Sequence, residues 1–116
     1  MNQVFKFDCI FYYVSDLDRS IDFYTKVLGL SLASRDAVAR FHIDSVLFEL
    51  VPTDDASVFS GKGNARLTLA VDDINAARSK LLTERVAVSE VRTVANGLLA
   101  SFTDPDGNEI ILWQYS

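Results

Sequence analysis

The chain has few of the residues that build disulfide frameworks and metal centres. Its 116 residues include one cysteine, Cys9, and one histidine, His42. A single cysteine excludes an internal disulfide and is typical of a reducing compartment, so we expect a cytoplasmic protein. His42 lacks a second histidine with which to share a metal ion, and a surface or hydrogen-bonded position is the commoner fate of such a residue.

Positive charge and long apolar runs are also scarce. Eleven Lys and Arg residues stand against 16 Asp and Glu residues, giving a net charge of −5, which argues against a nucleic-acid partner. The sequence contains no apolar run of about 18 residues, so we expect no membrane-spanning helix. The start of the chain shows no basic region followed by an apolar stretch, so we expect no secretory signal. The acidic balance is compatible with a cationic ligand, although it also serves solubility.

What the chain does contain is a repeat. Val-Ser-Asp-Leu-Asp-Arg-Ser at 14–20 is echoed by Val-Asp-Asp-Ile-Asn-Ala-Ala at 71–77, an offset of 71 − 14 = 57 residues. Each copy follows an apolar, strand-like run and leads into an amphipathic helix. A repeated strand–helix unit indicates a duplicated module.

Hydrophobic periodicity and turn residues predict the order βαβββ in both halves. Ser15 or Asp16 can cap the first helix, and Asp72 or Asp73 the second. Gly29 is expected to end the first helix. Strands are expected near 6–14, 31–35, 38–43, 46–51, 65–71, 86–94, 98–103 and 109–115.

Three turns are expected between these strands. They lie at Asp44-Ser45, at Asn96-Gly97 and at 104–107, where Asp-Pro-Asp-Gly indicates a turn without chemistry. We expect one domain over 1–116, with module one at about 1–52, a polar linker at 53–64 and module two at about 65–116. Helices should cover one face of the strands and leave the other for a concave surface or an interface.

The chain resembles the vicinal oxygen chelate superfamily, which groups glyoxalase I, bleomycin-resistance proteins and extradiol dioxygenases. The resemblance rests on residues 14–24, 27–30, 71–74 and 102–108, in that order and at that spacing. It implies an α+β fold of two tandem βαβββ modules forming a half-barrel cleft. It also implies a homodimer, because small members of the family pair the modules of two chains.

The same resemblance identifies four positions where metal-using members carry ligands. Here they hold Cys9, Glu49, Arg66 and Ile111. Arginine and isoleucine have no lone pair to offer a metal ion. At about 4 Å and an effective dielectric near 20, a divalent ion facing an arginine is repelled by roughly 8 kcal/mol. The sequence therefore predicts no metal and no cofactor, and an ion pair between Glu49 and Arg66 instead.

Aromatic residues accompany these positions. Strand alternation puts Phe11 and Tyr13 on the same face as Cys9, and Trp113 on the same face as Ile111. One interpretation is a pocket for a planar or cationic organic molecule. The other is that the rings fill the cleft or a dimer interface, since interfaces are also rich in aromatics. Cys9 itself is more typical of a small buried hydrophobe than of a nucleophile.

Three functions remain open at this point. The first is metal-independent binding of a small organic ligand, resembling antibiotic sequestration by bleomycin-resistance proteins, with Glu49 and Arg66 orienting its polar groups. The second is a metal-dependent lyase, isomerase or dioxygenase that would use ligands such as Cys9, His42 and Glu49. The third is a non-catalytic dimeric module that acts through partners. The unsuited metal positions favour the first.

Overall fold

The computed structural model describes residues 4–59 and 66–116, and it contains two successive βαβββ modules. In the first, strand β1 (Ile10–Val14) leads to helix α1 (Leu17–Asp22) and then to β2 (Leu32–Arg35), β3 (Ala39–Ile43) and β4 (Val46–Pro52). In the second, β5 (Leu67–Ala70) leads to α2 (Ile74–Thr83), β6 (Arg92–Val94), β7 (Gly97–Thr103) and β8 (Glu109–Tyr115). The predicted α+β class and element order are confirmed. Among the described residues, no helix has the length and hydrophobicity needed to cross a membrane.

The modules form two compact units, Met1–Val58 and Phe59–Ser116. Each contains one open four-stranded sheet, with strand orders β1-β4-β3-β2 and β5-β8-β7-β6. β1 runs parallel to β4 and β5 runs parallel to β8, whereas the other pairs are antiparallel. A short 3₁₀ helix, Ala56–Phe59, occupies part of the predicted linker, and residues 60–64 of that linker lie outside the described residues.

Equivalent aspartates start the two helices. Asp16 Oδ1 accepts the amide of Arg19 at 3.1 Å, and Asp73 Oδ1 accepts that of Ala76 at 3.1 Å. Both aspartates have extended backbones, so each side chain satisfies an N–H that has no partner within its own helix. Of the alternatives that the sequence offered, Ser15 or Asp16 and Asp72 or Asp73, the structure selects the second of each pair.

The two helices end differently. α1 continues into a π-helical turn at Phe23–Val27, where the amide of Leu28 bonds to the carbonyl of Phe23 at 3.1 Å. The left-handed residue that ends this helix is Gly29, whereas Arg85 takes that role after α2. The span from cap to left-handed residue is 29 − 16 = 13 in the first module and 85 − 73 = 12 in the second. The π-helical turn therefore accommodates one extra residue.

Each unit has its own core between helix and sheet. In the first, Tyr24 packs on Phe41 and Phe48, with ring centroids 6.0 and 5.3 Å apart. Leu81 takes the place of Tyr24 in the second unit, 57 residues later, and is also buried. Among the described residues of the second unit, the buried apolar side chains include one aromatic ring, Phe102; the others are Ile74, Leu81, Ala100, Ile110 and Leu112.

Several boundaries differ from expectation. β1 starts at Ile10 rather than near Lys6, and β6 starts at Arg92 rather than near Val86. The hairpin predicted at Asn96-Gly97 exists, but its two loop residues are Ala95 and Asn96, because Val94 pairs with Gly97.

The turn at 104–107 forms as predicted. Asp104 is buried and accepts hydrogen bonds from the amides of Asp106 and Asn108 and from the Asn108 side chain, all at 2.9 Å. Gly107 adopts a φ of 84°, a value that glycine tolerates without strain. The carboxylate of Asp104 is thus used in holding the turn.

Candidate functional site

Strand register places the candidate residues of the first unit on the sheet face opposite α1, which we call the open face. Phe48 and Leu50 of β4 are fully buried on the helix side, so Glu49 between them faces the other way. Phe11 is the β1 partner of Glu49 and shares its face. Tyr13 follows two residues later, and its ring meets that of Phe11 edge to face at 5.1 Å.

Glu49 is engaged through both carboxylate oxygens. Arg40 Nε donates to Oε2 at 3.1 Å, and the Cys9 thiol donates to Oε1 at 3.7 Å. The structure thus brings Cys9 and Glu49 together, as the resemblance implies for two family ligand positions. Glu49 is not an isolated negative charge, because a guanidinium lies against it.

Arg40 is itself held from a second side. Its Nη1 atom donates to Asp36 Oδ2 at 3.1 Å and lies 3.5 Å from Ser34 Oγ. The hydrogen bond from the Val38 amide, together with Arg40, lowers the pKa of Asp36 below its usual range. The hydrogen bond to Asp36, supported by the charge of Glu49, raises the pKa of Arg40. Arg40 therefore stays charged and bridges the two carboxylates.

The thiol of Cys9 is kept protonated. Its partial burial raises its pKa, and the negative charges of Glu49 and Asp8 raise the pKa further. The thiolate is the form of cysteine that attacks substrates and binds metals, so this environment opposes both roles.

The open face of the second unit carries the equivalent positions. Arg66 Nε forms an ion pair with Glu109 Oε2 at 3.2 Å. Ile111 and Trp113 lie on the same face of β8 as Glu109, since Ile110 and Leu112 are buried on the helix side.

Gln114 confirms the alternation of β8. Its Oε1 atom accepts the amide of Ile74, the first residue of α2, at 2.8 Å. The Gln114 side chain therefore points to the helix, and its neighbour Trp113 points to the open face.

These residues do not fit a divalent metal. The Cys9 thiol holds its proton, the Glu49 carboxylate is paired with a guanidinium, and Ile111 has no donor atom. Across residues 4–59 and 66–116, no three His, Cys, Asp or Glu side chains are grouped as a metal site requires. His42 is exposed on β3 opposite Leu47 and is not part of such a group.

Sequence reasoning missed Arg40. It paired Glu49 with Arg66, whereas each of these residues has an ion-pair partner inside its own unit. The predicted Asp44-Ser45 turn already contained the information needed to find Arg40. A two-residue hairpin loop there pairs Ile43 with Val46 and hence Arg40 with Glu49, as the structure shows.

Comparison with known proteins identifies relatives over almost the whole chain. A sequence profile of the Glyoxalase/Bleomycin resistance protein/Dioxygenase superfamily matches residues 6–112. A lactoylglutathione lyase from Oryza sativa subsp. japonica is 30% identical over 118 residues, covering 85% of this chain and 40% of that protein. The chain thus spans less than half the length of that curated relative.

Solved structures show the same architecture. TnmS3, an antibiotic binding protein from Streptomyces sp. CB03234, has a TM-score of 0.78 at 25% identity, covering 99% of this chain and all of that one. The fosfomycin resistance protein FosX from Listeria monocytogenes has a TM-score of 0.81 at 13% identity, covering 98% of this chain and 96% of its own. At the latter identity the likeness shows the fold alone. On the profile match to residues 6–112, this chain belongs to the glyoxalase/bleomycin resistance protein/dioxygenase superfamily.

Proposed function

We propose that this protein binds a small organic ligand on its open faces without a metal ion, and that it acts by binding rather than by catalysis. One observation carries the proposal: the positions that hold metal ligands in metal-using relatives hold a protonated thiol, two ion-paired side chains and an isoleucine here. Binding requires neither a nucleophile nor a Lewis acid, so this set is sufficient for it.

The aromatic residues beside these positions support the proposal. Phe11 is 44% exposed and Tyr13 is 40% exposed in the chain, although both are large apolar rings. Rings left accessible beside a few polar groups are typical of sites for organic ligands. Glu49 and Arg40 would then orient the polar groups of a ligand on the open face of the first unit, and Arg66 those of a ligand on the open face of the second.

The relative TnmS3 gives the proposal a direction. Its name states that it binds an antibiotic, and the two chains match over nearly their full lengths. We propose a similar sequestration here, by a cytoplasmic homodimer that holds the ligand in a cleft. The net charge of −5 is compatible with a cationic compound.

A thermal-shift screen of antibiotics tests the proposal. A ligand present at 100 times its dissociation constant adds about 2.7 kcal/mol to the free energy of unfolding. For a compound that binds, Phe11→Ala should weaken affinity by about 10-fold, because contact with a half-exposed ring is lost. Leu82→Ala is the control, since Leu82 is an exposed residue of α2. Equal affinity in wild type and Phe11→Ala would remove Phe11 from the site.

Enzymatic activity is the second candidate. The Cys9–Glu49 contact joins two family ligand positions, and the rice relative is named a lyase. Near-stoichiometric Zn, Fe, Mn or Ni in purified protein, removed only by a strong chelator, would favour this candidate.

A further inference from the structure

On the open face of the second unit, the indole of Trp113 lies directly above Gly97. A Cβ atom built on Gly97 would come within 2.3 Å of Trp113 Cζ2 and 2.5 Å of Cη2. Carbon atoms in contact are normally about 3.5–4.0 Å apart, so no side chain fits between Gly97 and the ring. Gly97 is buried even though it directly follows the hairpin loop.

Backbone conformation does not explain the glycine at this position. Gly29 and Gly107 adopt positive φ angles, but Gly97 does not. Within the hairpin, the residue with positive φ is Ala95, at 51°. Gly97 therefore supplies space rather than a special dihedral angle. That space is taken by the Trp113 ring and by the carbonyl of Gln114, which would lie 2.7 Å from the added Cβ.

The neighbours of Trp113 limit how its ring can move. Its benzo portion is seated over Gly97, and Tyr115 meets the indole edge to face, with centroids 5.7 Å apart and planes at 90°. The side chain nevertheless remains partly exposed. An aromatic ring that is fixed in place and still accessible can contact a flat ligand without losing further rotamer freedom.

We propose that Trp113 is a stacking platform for a planar conjugated ligand and that Gly97 is the positioning residue that seats it. This inference rests on the proposed function and specifies the ligand class. A planar molecule can stack on the exposed part of the indole, and a planar cation gains a cation–π attraction in addition. A bulky, three-dimensional molecule of equal charge gains neither.

Intrinsic fluorescence tests the seating directly, because Trp113 is the only tryptophan in the chain. Gly97→Ala should shift the emission maximum, since the added methyl group displaces the ring. Ala95→Gly, in the same hairpin, is the control and should leave the emission unchanged. Identical emission from wild type and Gly97→Ala, both folded by circular dichroism, would overturn the positioning role.

Two monocationic amines test the platform. 9-Aminoacridine is planar, and 1-adamantylamine is a compact cage. Acridine fluorescence should report saturable binding to wild type, weakened about 10-fold or more by Trp113→Leu and by Gly97→Ala. By calorimetry, 1-adamantylamine should bind wild type more weakly than 9-aminoacridine, and Trp113→Leu should leave its affinity unchanged. Should Gly97→Ala fail to fold, the comparison of Trp113→Leu with the conservative Trp113→Phe decides the platform.

The possible failures are distinguishable. If the acridine binds wild type and Trp113→Leu equally well, the platform is overturned while ligand binding stands. If the acridine does not bind but another compound in the antibiotic screen does, the platform is again overturned and the proposed function survives. If neither amine nor any compound in that screen binds, both proposals fail.

Discussion

At the scale of single residues, the Glu49 carboxylate is held by two neighbouring side chains. Arg40 and Cys9 donate to its two oxygens, so the carboxylate is satisfied before any ligand arrives. Because both oxygens are engaged, the Glu49 side chain is held in one position and is not free to approach the proton of a substrate. This environment suits orientation of a ligand better than proton transfer.

The Cys9 thiol should respond to Glu49. Glu49→Gln removes one of the charges that raise the thiol pKa, so the pH midpoint of alkylation by iodoacetamide should move down. It should remain above the value of an ordinary thiol, because burial is the larger cause and is retained. Glu90→Gln, which alters an exposed carboxylate, is the control. A midpoint unchanged by Glu49→Gln would refute the electrostatic coupling.

The raised pKa of Cys9 also determines how the stability of the fold depends on pH. The folded state holds the thiol proton more tightly than the unfolded chain does. Cys9 therefore contributes stability that is fully present below the pKa of an unfolded thiol. That contribution is lost as the pH rises through the higher folded-state value.

Ser20 is a second residue whose environment predicts a measurable effect. Its side chain is fully buried, and within the described part of the chain its Oγ atom has no hydrogen-bond partner. The equivalent residue 57 positions later is Ala77. Ser20→Ala should raise the free energy of unfolding by about 1 kcal/mol, because an unsatisfied buried hydroxyl is removed. Urea denaturation measures the change.

The control for this substitution is Ser79→Ala on the exposed side of α2. It reports helix propensity alone, which is worth about 0.5 kcal/mol. A loss of stability in Ser20→Ala would mean that the hydroxyl has a partner in solution.

Local rules predicted some residue roles and not others. Asp16 and Asp73 were recognisable as cap candidates, beside Ser15 and Asp72, because a cap depends on residues only three positions away. The Arg66–Glu109 pair joins residues 43 positions apart, at the starts of the parallel strands β5 and β8, and no turn fixes the register of those strands. The seating of Trp113 on Gly97 depends on the direction of a ring above the sheet, which sequence alternation does not specify.

At the scale of elements, the two modules differ by one residue in their helices. The first module accommodates the extra residue in its π-helical turn, whereas α2 is a regular α-helix. Such turns arise where an inserted residue is accommodated without disturbing the buried face on either side. Tyr24 and Leu81 accordingly keep equivalent buried positions.

Deleting Lys26 should therefore leave a folded protein. Lys26 is 75% exposed, and its removal converts the π-helical turn into the geometry seen in α2. Deleting Lys80 is the matched control, because it rotates Leu81 away from the core. That deletion should cost at least about 3 kcal/mol, a value typical of losing a buried leucine. Equal losses of stability from the two deletions, measured by urea denaturation, would contradict this explanation of the turn.

The hairpin between β6 and β7 shows how a packing requirement can resemble a turn signal. Asn-Gly is a strong indicator of a two-residue loop, and it predicted a loop at Asn96 and Gly97. The observed loop, Ala95-Asn96, shifts the register by two residues and leaves Gly97 in the strand beneath Trp113. A shift of two preserves which residues face the helix, so the predicted faces were correct although the register was wrong.

At the scale of the whole molecule, several of the most exposed apolar side chains lie near the start of the described chain. Val4, Phe5 and Phe7 are 84, 85 and 68% exposed in the isolated chain, and β1 with Phe11 and Tyr13 follows directly. An apolar surface of this kind is typical of an interface or a ligand site. It is compatible with the proposed homodimer.

The central claim is that ligand binding needs no metal. The most direct test is the dissociation constant of a compound identified in the antibiotic screen, measured by calorimetry with metal-free, chelator-treated protein. The measurement is repeated after addition of Zn²⁺, Mn²⁺, Fe²⁺ or Ni²⁺. We predict the same dissociation constant in every case and no retained metal by elemental analysis. Affinity about 10-fold higher with one metal, or a near-stoichiometric metal that only a strong chelator removes, would contradict the claim.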